Sequence, residues 1–182
     1  MSEPLPETEQ TPDLAEQAWY VLRVMPQHER KIAQYLERLS FEYFLPLVPR
    51  KRKWSDRVKI VEFPLFPGYV FVRMRWFSDY VRVLSHPGAL YFIKVDNRPT
   101  PLGAEHILNL RLLVAAQREL HADPAHNFPP GSEVEIRFGP LKGVRGVVAR
   151  AKSKTRIYVR VPLLDQMVSA EVDVLDLEPV SL

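Results

Sequence analysis

The stretch Phe66-Pro67-Gly68-Tyr69-Val70-Phe71-Val72 is the densest aromatic and β-branched run in the chain, and a Pro-Gly turn opens it. From Gly68 onward it reads as a strand, in which residues two apart share a face. Tyr69, Phe71 and Arg73 then point one way, and Val70, Val72 and Met74 the other. The Val/Met side has core composition. The Tyr/Phe side allows two readings: a second buried face, or an aromatic surface waiting for a partner.

Composition narrows the classes available to the rest. The 182 residues, 46% of them apolar, can form one large domain or two small ones with real cores. No apolar run is long enough to span a bilayer, and the start of the chain is acidic; both predict a cytoplasmic, uncleaved protein. The absence of cysteine removes disulfides, thiolate nucleophiles and cysteine-based metal sites. Charge is unevenly spread. Residues 1–17 carry five acids and no base, whereas residues 18–120 carry 17 Lys/Arg against nine Asp/Glu, so the overall +3 conceals a basic middle. Such a field favours a polyanion partner, against the alternative of a solvated basic face.

Read in order, residues 1–17 predict a disordered acidic tail. Trp19–Val24 predicts a strand ended by Pro26, and Gln27–Leu39 an amphipathic helix with Ile32, Tyr35, Leu36 and Leu39 on its apolar side. Phe41–Val48, interrupted by Pro46, and Val58–Phe63 predict a long hairpin with the cations Arg50, Lys51, Arg52 and Lys53 at its tip. That tip is either a phosphate-contacting finger or a loop kept soluble by charge. The central strand is followed by a short helix from an N-cap at Ser78 to Leu84, carrying Val81 and Leu84. A strand over Leu90–Val95, a turn at Asn97-Arg98-Pro99 and a long helix over Ala104–Leu120 complete the unit. This is an α+β arrangement, a mixed sheet with flanking helices, over residues 18–120. Residues 121–130, with three prolines, predict a linker. Residues 131–182 break into five short strands, which can bury a core only by curling into a small all-β barrel.

Nothing in the chain assembles a nucleophile with a base, a carboxylate pair, a phosphate-cradling glycine loop or a metal cluster. His121 and His126 share no face, and no carboxylates flank them. The expectation is a binding protein that is not an enzyme and needs no cofactor and no metal.

Trp19-Tyr20, the block Pro64 to Val72, the helix ending near Pro87-Gly88 and the turn Asn97 to Pro101 together resemble the N-terminal domain of the NusG/Spt5 transcription elongation factors. Pro130-Gly131, Val134, Ile136, Gly139-Pro140, Gly143 and Gly146-Val147-Val148 resemble the KOW (SH3-like) barrel of the same family, so the resemblance spans about residues 19–179. The Pro-Leu-Phe-Pro-Gly-Tyr-Val-Phe-Val wording is closer to the RfaH-like antitermination paralogues than to the housekeeping members. The resemblance implies docking on the clamp helices of the largest RNA polymerase subunit through Phe66, Tyr69, Phe71 and Phe92. It implies contact with non-template DNA near the transcription bubble through Arg23, His28, Arg30, Lys31, Arg50, Lys51, Arg52 and Lys53. It further implies that the barrel recruits either a small-subunit ribosomal protein serving as a Nus factor or Rho, through Leu141, Val144, Leu163 and Leu164. The expected factor is monomeric and relieves pausing or termination. The alternative is a ribosome- or RNA-binding KOW protein that does not act on polymerase. The β-branched residues of the last third favour the barrel over any helical form.

Overall fold

The Phe-Pro-Gly-Tyr run sits at the middle of the molecule because its strand is hydrogen-bonded on both edges. The computed structural model describes residues 14–53, 58–116, 121–124, 133–136, 141–151, 154–164, 166–172 and 177–179. Residues 1–13, residues 54–57, most of the expected linker and residues 137–140 lie outside these residues.

Strands β1 (Gln17–Val24), β2 (Glu42–Phe44), β5 (Tyr69–Arg75) and β6 (Ala89–Phe92) form one antiparallel sheet in the order β2-β5-β1-β6. β3 (Leu47–Lys53) and β4 (Val58–Pro64) form a separate two-stranded ribbon. Leu45 and Pro46 divide the expected long strand, since a proline cannot donate to the ladder. The cations Arg50 to Lys53 are therefore not at a tip. They lie along β3, opposite Val61, Ile60, Lys59 and Val58.

Helix α1 (Glu29–Arg38) buries Ile32, Ala33 and Leu36, with an acid in its first turn and a base in its last, as the helix dipole prefers. Helix α2 (Trp76–Leu84) starts two residues before the expected cap. The Asp79 carboxylate accepts the backbone N–H of Arg75 at 2.9 Å and takes over the capping role given to Ser78. The buried side of α2 is Trp76 and Val83, whereas Val81 is exposed. The expected turn at Asn97-Arg98-Pro99 is shifted: Asp96 and Asn97 take φ of 48° and 61°, and Arg98–Pro99 is already strand β8, paired with β7 (Lys94–Val95). Helix α3 (Ala104–Ala115) follows.

The period-two alternation of β5 sorts its side chains into two cores. Val70, Val72 and Met74 join Tyr20, Leu22, Val24, Ile32, Leu36, Trp76, Val83 and Phe92 beneath α1 and α2. Phe71 joins Trp19, Val21, Phe66 and the α3 residues Ile107, Leu110 and Leu113 on the other face. The last residues of the expected tail are ordered: Leu14 packs against the first core, and its carbonyl accepts the Trp76 N–H at 3.2 Å.

The C-terminal third forms a six-stranded antiparallel sheet. Its strands are β9 (His121–Pro124), β10 (Glu133–Ile136), β11 (Arg145–Ala151), β12 (Lys154–Val161), β13 (Gln166–Val172) and β14 (Leu177–Pro179), in the order β14-β10-β11-β12-β13-β9. The first four residues of the expected linker are thus an edge strand on β13. Ile136, Leu141, Val144, Val159, Val161, Val168 and Ala170 belong to the same buried cluster as Phe66, Phe71 and the α3 residues, and β12 meets α3. The aromatic face of the central sheet is therefore covered from within the chain.

Candidate docking face and basic surface

The turn that leads into β5 is fixed from three directions. Gly68 has φ of +83°, a conformation that costs an L side chain energy and glycine little. Its N–H donates to Glu29 Oε1 at 2.7 Å, and Glu29, the first residue of α1, is only 5% exposed. Its carbonyl accepts the Val24 N–H at 2.9 Å, which joins the turn to the end of β1. The turn thereby sets where Phe66 and Tyr69 enter the sheet.

Phe66 and Phe71 meet edge to face at 5.9 Å, and Phe44 lies 6.0 Å from Phe71 on its other side. Phe66 and Phe71 are fully buried, while Tyr69 is half-buried at the rim of the same cluster. Phe92 does not belong with them. It pairs with Leu22 across β1 and β6, so it faces the opposite core, where it meets Trp76 edge-on at 5.3 Å and lies tilted 5.7 Å from Tyr80. The grouping of Phe92 with Phe66, Tyr69 and Phe71 is corrected by this register. The break in the ladder between Arg23 and Val24 and the end of β6 at Phe92 gave no signal in the sequence.

The same face holds residues that sequence reasoning did not connect. Glu42 on β2 accepts from Arg73 at 3.1 Å and from Arg111 at 3.0 Å, and so ties α3 to the sheet. The Arg111 guanidinium lies 5.3 Å from the Trp19 ring and 5.5 Å from that of Phe44. Partial burial works to raise the Glu42 carboxyl, but the hydrogen bonds and charges of Arg73 and Arg111 prevail and hold it below the usual carboxylate range. The three residues come from β2, β5 and α3, separated by up to 69 positions, and no local pattern pairs them.

The expected basic residues divide into four groups. Arg23 is turned inward, over the Tyr69 ring and toward the Gly68 turn. Arg30 pairs with Glu62 at 3.3 Å, an ion pair more than half exposed on both sides and weak for that reason. His28 and Lys31 belong to a third group with two residues the sequence reading left out, Arg38 and His86. The His28 ring rests against Gly88, the Tyr35 and His86 rings are 5.0 Å apart, and the Gly88 N–H donates to His86 Nδ1 at 2.9 Å. Partial burial, and then the charges of His28, Arg38 and Lys31, push His86 below its ordinary range. His86-Pro87-Gly88 had been read only as a helix terminator. Arg50 on the ribbon is exposed, and its neighbour across the ladder is Val61.

Of the expected C-terminal contacts, Leu141 and Val144 are buried, and Leu163 and Leu164 are half-buried against the same cluster as Phe71. Packing within the chain surrounds Leu141 and Val144, and covers Leu163 and Leu164 in part. Among the described residues, no group of three or more His, Asp or Glu could hold a metal ion, and no helix is long and apolar enough to cross a membrane.

The chain is 28% identical over 167 residues to the transcription termination/antitermination protein NusG of Buchnera aphidicola, an alignment that spans 85% of this chain and 92% of that one. It is 22% identical to the protein of the same description from Borreliella burgdorferi, across 90% and 98% of the two chains. A solved structure described as domain interaction in Thermotoga maritima NusG superposes with a TM-score of 0.52 at 20% identity, covering 92% of this chain and 99% of that one, which establishes the same fold. The NusG family model, described as transcription termination factor, matches residues 17–111. That segment, more than half of the chain, contains β1 to β8 and most of α3, and with it the chain belongs to the NusG family of transcription termination and antitermination factors.

Proposed function

We propose that the chain binds RNA polymerase, at the clamp helices of the largest subunit, through the aromatic face of Phe66, Tyr69 and Phe71, and there relieves pausing or termination. Factors of this family act on transcription without being enzymes. The observation that carries the reading is the rim position of Tyr69. It is a half-buried aromatic beside two buried ones, and such clustered aromatic anchors typically dominate an interface once uncovered. Phe92, on the opposite face, is not part of the proposal.

The basic residues Lys31 and Arg38 and the histidines His28 and His86, with Arg30 and the ribbon residues Arg50, Lys51, Arg52 and Lys53, form the surface we assign to non-template DNA. The six C-terminal strands are proposed to be the KOW barrel, with residues 18–120 and 131–182 as the two domains. The barrel would recruit a small-subunit ribosomal protein or Rho through Leu141, Val144, Leu163 and Leu164. Those residues and the docking aromatics share one buried cluster, which also takes in Ile107, Leu110 and Leu113 of α3. Separation of the C-terminal sheet from α3 would expose the barrel surface and open that cluster. A domain interaction is also what the Thermotoga maritima structure is described by. The factor is proposed to work as a cytoplasmic monomer.

The test is capture of core RNA polymerase by the full chain and by Tyr69→Ala, each first shown to be folded by its thermal midpoint. Phe71→Ala is a poorer probe, because truncating a fully buried phenylalanine costs about 3–5 kcal/mol of fold stability. Wild-type capture with loss in Tyr69→Ala is expected. Absence of wild-type capture, with retention on ribosomal RNA instead, would replace this reading with the RNA-binding one. Readthrough of a terminator behind several different leader sequences separates a general role from an operon-specific one.

A further inference from the structure

We propose that Arg23 is a positioning residue that holds the Tyr69 ring at the rim of the aromatic face, and that it is not one of the nucleic-acid contacts. The proposal rests on the docking reading above. The register of β1 and β5 sets Arg23 directly opposite Tyr69, and cross-strand neighbours share a face. The guanidinium carbon lies 4.6 Å from the Tyr69 ring centroid, within the range in which a cation is held by the ring's negative face.

One of its nitrogens is directed back at the protein. Nη1 donates to Pro67 O at 3.3 Å and to Gly68 O at 3.4 Å, long bonds that still aim the fork at the turn. The turn is built to admit it: a Cβ placed on Gly68 would overlap the guanidinium itself. Behind the turn, the Glu29 carboxylate holds the Gly68 N–H. Tyr69 is thus clamped between a cation on one side and the Phe66/Phe71 cluster on the other, and it alone of the three aromatics is only partly buried. A phosphate contact that drew Nη1 away would cost the turn both of these bonds. Lys31, Arg38 and Arg50 are exposed and need no such rearrangement.

The experiment uses the full chain with Arg23→Ala, Arg23→Lys, Tyr69→Ala and the double variant Arg23→Ala/Tyr69→Ala. Three quantities are read: affinity for core RNA polymerase, the salt dependence of binding to a DNA duplex with an unpaired strand, and the NMR shifts of the Tyr69 ring. Arg23→Ala is expected to move the ring shifts and weaken polymerase binding about tenfold, the size of one lost anchor. Arg23→Lys, which keeps the cation, restores most of both. The double variant binds no more weakly than Tyr69→Ala alone, because the two residues act as one unit. The slope of affinity against salt is unchanged.

Unmoved Tyr69 shifts in Arg23→Ala would overturn the proposal. So would a salt slope reduced by roughly one phosphate contact, which would make Arg23 a direct DNA ligand. If wild type does not bind polymerase, the docking reading falls, while the ring shifts still decide whether Arg23 positions Tyr69. Should Arg23→Ala fail to fold, Arg23→Gln removes the charge with less loss of volume, and the same three readouts apply.

Discussion

At the scale of single residues, Tyr20 shows how much an aromatic core tolerates. Its ring lies 5.0 Å from Trp76 and 6.2 Å from Phe92, fully buried, yet its hydroxyl finds no hydrogen-bond partner among the described residues. Burial pushes its ionisation up, so it stays neutral, and a buried unpaired hydroxyl costs about 1–3 kcal/mol relative to one that is satisfied. Tyr20→Phe removes the polar atom and keeps the ring contacts. The expected outcome is a thermal midpoint equal to or above that of wild type; a clear drop would reveal a partner for the hydroxyl. Strand alternation made the inward direction of Val70, Val72 and Met74 legible, because each depends only on its own neighbours in sequence. The error over Phe92 has the same root. Its face is decided by pairing with Leu22, 70 positions away, and no local pattern fixes that register.

At the scale of elements, α3 has little amphipathic contrast, because apolar residues lie on its outer side as well: Ile107, Leu110 and Leu113 enter the second core, Leu112 and Val114 pack against it in part, and Leu108 is exposed. Its length and alanines nevertheless made it readable as a helix. What places it is the Glu42 bridge to Arg73 and Arg111. Since the folded Glu42 carboxyl binds its proton less readily than an ordinary one at 4.5, the bridge contributes fully above that value. The contribution is lost as pH falls through the lower folded value. Glu42→Gln should therefore lower the thermal midpoint slightly at neutral pH and converge with wild type in acid, an effect kept modest because the carboxylate is nearly half exposed. Midpoints measured from about pH 7 to pH 3 check this, and curves that stay parallel throughout would show that the bridge does not hold α3. The basic surface was legible only in part, for a comparable reason. Lys31 and Arg38 lie on one helix, but His86 reaches them through the α2–β6 loop, which sequence marks as a terminator and not as a partner.

At the scale of the whole molecule, proline content and the change in strand spacing are read as a boundary between two halves, residues 18–120 and 131–182. Their contact was not legible, because it depends on which apolar faces meet, and each half's sequence is consistent with a self-sufficient core. The shared cluster running from Trp19 to Ala170 makes unfolding of one half costly to the other. All three tryptophans, Trp19, Trp54 and Trp76, lie in the N-terminal half, so tryptophan emission reports on that half alone. Val161→Ala, at a fully buried position on β12 in the C-terminal sheet, removes about 1–3 kcal/mol of packing from the other half. If the cluster is energetically continuous, this distant substitution shifts the tryptophan-detected denaturation midpoint, and the far-ultraviolet transition moves with it. A tryptophan transition that ignores Val161→Ala, or two separate transitions in the wild type, would mean that the halves touch without sharing stability. The C-terminal sheet would then leave the aromatic cluster at little cost to the N-terminal half, and its covering would be a weak barrier to a partner.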